Sequence, residues 1–92
     1  MGMSTSLGGM PGMATDAELD SLQSAAGREV DRLFLHLMRE HHRGGVHMAS
    51  FAARHAKDGR VRGLAARIAR NQQLEVAEYS DALRRLGFEP AS

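Results

Sequence analysis

The sequence predicts an all-α protein, with a short N-terminal helix and then a long antiparallel helical hairpin. Dimerisation is expected to complete the hairpin into a four-helix bundle. Three observations predict it. Apolar residues recur at steps of three, four and seven through two long segments. Asp58-Gly59 is the turn signal between those segments. Two long helices and one short one cannot surround a core, so one flank of the hairpin stays apolar and calls for a second hairpin.

The elements follow in order. Residues 1–14, MGMSTSLGGMPGMA, hold Gly, Ser and Met with one Pro and no charge, the composition of a flexible tail. Residues 15–92 are read as a single helical domain. Thr15 with Glu18 three residues on is a capping box, and Asp16 places negative charge at the helix N-terminus. Leu19, Leu22 and Ala26 continue the helical period until Gly27, giving a helix over about 16–26 that packs on the hairpin by Leu19 and Leu22. The second helix runs over about 28–57 with the seam Val30, Phe34, Leu37, His41, Gly44, Met48 and His55. The third runs over about 60–86 with the seam Val61, Ala65, Ile68, Gln72, Glu75, Tyr79, Ala82 and Leu86. Gly87 closes it and Pro90 follows, the expected order for a C-terminus.

Composition excludes several functions. Twelve Lys and Arg stand against eleven Asp and Glu, a net charge of +1 that argues against a dedicated nucleic-acid binder. There is no Cys, so disulfides, thiolate metal sites and a Cys nucleophile are excluded. No apolar run reaches the length of a membrane span, and no signal-peptide segment is present. Met and His are over-supplied instead, at six and five. Segment 54–70 has Arg54, Lys57, Arg60, Arg62, Arg67 and Arg70 against Asp58 alone, read as a solvated hairpin tip.

The seams break where they should be most apolar. At about 100° per residue, His41 falls on the side of Phe34 and Leu37, with His42 at its edge near Met38. Gln72, Glu75 and Tyr79 take three successive seam positions on the third helix. Simple hairpin register sets His41 level with Glu75, Met38 level with Tyr79, and Met48 near Ile68 or Ala69. A polar layer of His41, His42, Gln72 and Glu75 is therefore expected in mid-bundle, flanked by Met38 and Met48. Buried polar groups cost several kcal/mol unless paired, so fold stability does not ask for this layer. Imidazole and thioether together favour copper, as Cu(I) or Cu(II). His41 and His42 are the primary candidate ligands, Met38 and Met48 the thioether partners, and Met10 and Met13 candidate ligands from the tail. Gln72 and Glu75 are assigned to hold the imidazoles from the facing helix.

Three runs carry a resemblance: Met10-Pro-Gly-Met13-Ala-Thr15; Phe34-Leu35-x-x-Met38-x-x-His41-His42-x-Gly44-x-Val46-x-Met48-Ala49; and Ile68-x-x-x-Gln72-x-x-Glu75-Val76. Over about residues 10–87 the chain resembles the bacterial domain-of-unknown-function family 305. The resemblance implies a ferritin-like helical bundle, export, and an association with copper binding and copper resistance in the periplasm. Many such proteins have two hairpins in one chain, whereas this chain has one and looks like the second. Gly45 stands where they often have Ala, and Tyr79 where Met is common.

The expected function is a non-enzymatic copper-binding protein of copper handling, periplasmic or extracellular, acting as a homodimer. The absence of Cys suits an oxidising compartment. The alternative is a structural or protein-binding helical hairpin without metal. A di-iron oxidase needs Glu-x-x-His pairs, and Glu29, Glu40, Glu75 and Glu78 are each followed at the third position by something other than His.

Overall fold

The computed structural model describes residues 13–90, which form three α-helices and no strand. α1 spans Asp16–Ser24, α2 Arg28–His55 and α3 Gly59–Arg85. The flexible tail expected over residues 1–14 lies almost wholly outside the described residues.

α1 begins on the expected capping box. Glu18 N–H donates to Thr15 Oγ1 at 3.1 Å, and Thr15 N–H donates to Glu18 Oε1 at 2.9 Å. It ends at Ser24 rather than near Ala26, because Ala25 turns extended and Gly27 takes a φ of 59°. None of its residues is buried. Leu22 is half-buried but Leu19 stays exposed, so only part of the expected packing forms.

α2 runs unbroken through Gly44-Gly45, although two adjacent glycines cost about 1 kcal/mol each in a helix interior. Packing against α3 holds it. The approach is close at Gly45, where a Cβ would come within 2.6 Å of Gln72 Nε2. α3 starts on Asp58, whose Oδ1 accepts from the N–H groups of Arg60 at 2.8 Å and Val61 at 3.2 Å. Arg62 donates to the carbonyls of Ala56 and Lys57, so the end of α2 and the start of α3 satisfy each other. At the far end Gly87, with a φ of 81°, forms a Schellman motif: Phe88 N–H donates to Leu83 C=O and Gly87 N–H to Arg84 C=O.

The core is small and rich in alanine. Leu37, Ala49, Ala65, Ala69 and Leu83 are the buried apolar residues, and only Leu83 is fully enclosed. The molecule measures 45 × 36 × 18 Å, too thin to surround a larger interior. Arg39 is buried beside this core and pairs with Glu89 through two hydrogen bonds of 2.8 and 2.5 Å. Arg28 donates to Leu86 C=O at 2.7 Å and lies over the Phe88 ring at 4.3 Å. Both arginines tie the segment after α3 back to α2.

A candidate metal-binding cleft

Consecutive residues on a helix point about 100° apart, so His41 and His42 cannot both face α3. His42 does. Its Nε2 lies 2.9 Å from Glu75 Oε1, and its Nδ1 donates to Met38 C=O at 2.8 Å. The Tyr79 ring packs edge-on at 5.1 Å between centroids. Burial, and then the nearby charges of Glu75 and Glu78, hold the Tyr79 phenol above its ordinary pKa. Glu75 remains about half exposed, so this cluster opens to solvent at its carboxylate.

Register counting set His41 level with Glu75; within that register it is His42, one residue on, whose side chain meets Glu75. The sum rule ignores the direction in which side chains leave the helix, and the residue one step on has the α3-facing direction. His41 is exposed, with its ring 5.8 Å from that of His42 and no contact to Glu75. The single expected polar layer is therefore two adjoining groups. One is the inner pair His42–Glu75 with Met38 and Tyr79. The other is an outer cleft of about 380 Å³ lined by Met13, His41, Gly44, Gly45, His47, Met48 and Gln72.

The outer cleft gathers four of the expected side chains. His41 and Met48 come from α2, two turns apart on one face, Met13 from the segment before α1, and Gln72 from α3. Met38 is not among its lining residues, and Met10 lies outside the described residues. His47, at the position before Met48, also lines the cleft. Gly44 and Gly45 leave the space that lets residues from both sides of the helix reach it. Gln72 packs its amide against Gly45 rather than against an imidazole, so Glu75 alone holds a histidine. Among the described residues no group of three His, Cys, Asp or Glu side chains could hold a metal ion. A metal in this cleft would therefore rely on thioether sulfur, the donor chemistry that suits Cu(I).

Sequence reasoning missed the Arg39–Glu89 pair. Its only signal is an arginine beside the apolar seam, with its acid beyond the helix end. Arg39 Nε has no hydrogen-bond partner among the described residues, with Glu40 Oε2 3.8 Å away, and Ser80 Oγ lies 3.4 Å from Nη1.

Among the described residues no helix is long and apolar enough to cross a membrane. A search of the curated proteins finds no match. Among solved structures, the chain is similar to a DUF305 protein of Streptomyces coelicolor described as a candidate secreted protein, with 42% identity and a TM-score of 0.80. The match covers 86% of this chain and 49% of that one, so this chain spans about half its length. The family model for the domain of unknown function DUF305 matches residues 1–83. Resemblance, fold and family model agree, and the chain belongs to the DUF305 family.

Proposed function

We propose that the protein is a non-enzymatic, exported copper-binding protein that works in copper handling or tolerance. The observation that carries the reading is the outer cleft, where the His41 imidazole and the Met48 and Met13 thioethers line one open space. Imidazole and thioether are the donor types that select copper over harder ions, and thioether selects Cu(I). His41, whose ring makes no hydrogen bond among the described residues, is the readier ligand. His42 has a partner on each nitrogen and binds metal only by giving up Glu75 or Met38 C=O. Export is supported by the description of the Streptomyces protein. The bundle is completed by a second copy of the chain, which covers the apolar flank left open by the hairpin. Nothing in this donor set calls for turnover, so the role is binding and not catalysis.

One observation favours the rival reading, a structural hairpin. The His42–Glu75–Met38 network is internally paired, as a device that sets helix register would be. Copper affinity separates the two. His41→Ala and Met48→Leu are each expected to weaken binding by more than tenfold, and His42→Ala by about tenfold through lost orientation. If all four proteins bind alike, or none binds above background, the copper reading is lost and the structural hairpin takes its place.

A further inference from the structure

Resting on the copper reading, we infer that the metal site is shared between two antiparallel copies of the chain. His41 of one copy and Met48 of the other close on the same ion. The observation behind this is where the donors lie. His41 and Met48 sit on a flank of α2 that α3 leaves uncovered, and Met48 is 60% exposed. Phe34 and Phe51 are exposed on α2 beside them, and Val61, Leu64 and Ile68 are exposed on α3. A soft-metal ligand on an open apolar face is half of a site.

The occupant of that face is a second copy because the seam of α2 reads nearly the same from both ends. Around Gly44, His41 stands three residues before and Met48 four after. Phe34 stands ten before and His55, its ring against that of Phe51, eleven after. A two-fold axis within a turn of Gly44 therefore pairs the aromatic and apolar positions of one α2 with those of the other. It also brings each His41 within about one helical turn of the opposite Met48. Gly44 at the crossing lets the two backbones approach.

Charge selects the antiparallel arrangement. Segment 54–70 holds six basic residues and one acid, a net +5; the rest holds six basic residues and ten acids, a net −4, which together give the chain's +1. Antiparallel pairing keeps the two basic tips at opposite ends of the dimer, each beside a remainder of opposite net charge. Parallel pairing would stack the two basic tips. The Streptomyces protein, about twice this chain's length, has room for a second hairpin in one chain.

The test is complementation between subunits, read by binding of Ag(I), a redox-inert stand-in for Cu(I). Wild type is expected to sediment as a dimer and take up Ag(I), and His41→Ala and Met48→Leu each to lose that uptake. When the two variants are unfolded and refolded together, uptake returns to about one quarter of the wild-type level. About half of the dimers are then mixed, and each mixed dimer holds one intact site. Two readouts do not depend on metal. Gly44→Cys forms a disulfide-linked dimer on oxidation, and Phe51→Glu is monomeric with its helical circular dichroism retained. If wild type binds Ag(I) but mixing restores nothing, the site lies within one copy and the shared site is overturned while the copper reading stands. A monomeric wild type also overturns it, and means that another occupant, such as residues 1–12, covers the flank. No Ag(I) uptake by wild type overturns the copper reading and the shared site with it.

Discussion

Of the glycines, Gly45 has the least room beside it, because the Gln72 side chain lies against it. A β-carbon at position 45 would collide with the amide end of Gln72, and that end is flexible. The Gly45→Ala change therefore sets a helix-propensity gain of about 1 kcal/mol against the displacement of one amide. Its net effect on stability is expected to stay below about 1 kcal/mol in either direction. In a Gln72→Ala background the obstacle is gone, and the same change is expected to stabilise by about 1 kcal/mol. A double-mutant cycle by chemical denaturation reads the difference. Additive effects would show that the two positions do not touch. At this scale one residue decides which histidine is inner, because a step of one along a helix moves the side chain by more than a quarter turn.

Among the elements, α2 and α3 form one rigid hairpin, and the segment after α3 is fastened to it by side chains. The Arg39 guanidinium hydrogen-bonds Glu89 and, with help from its charge, holds that carboxyl below the ordinary carboxylate range. A carboxyl with a lowered folded-state pKa adds stability that is fully present above its unfolded value. That stability is lost as pH falls through the folded value. The melting temperature of wild type should therefore exceed that of Glu89→Gln at pH 7, and the gap should close as the solution is acidified below pH 4. A gap that persists in acid would mean the pair acts by packing and not by charge. Helix α1 is the weakest element, since its capping box is complete but it buries no residue.

The whole molecule is a flat hairpin whose apolar flank is too large for its own core to absorb. Nine large apolar side chains are exposed among the described residues, against two large ones buried, Leu37 and Leu83. If a second copy covers that flank, as proposed, stability depends on concentration. The melting temperature is expected to rise by about 3 °C for each tenfold increase in protein concentration, the slope for a dimer of this size. Calorimetry across the micromolar range checks it. A melting temperature independent of concentration would place all the stabilising contacts within one copy.

Helix number, order and hairpin arrangement were legible in the sequence, because they rest on local signals. The Thr15–Glu18 capping box, the heptad steps through Phe34, Leu37 and His41, and the Gly87 stop each act within a few residues of themselves. The family was legible for the same reason, since its motifs are short runs on single helices. Three features needed the tertiary structure. Which histidine meets Glu75 depends on the rotation of α2 about its axis relative to α3, and counting residues does not supply that angle. The reach of Met13 to His41 and Met48 depends on where the chain before α1 crosses α2, which no periodicity encodes. Arg39 pairs with Glu89 across fifty positions of sequence, and only packing brings such a pair together. The sequence determined what each helix is, and the tertiary structure decided which side chains share a cleft, because local spacing sets a helix and its rotation against a neighbour sets a site.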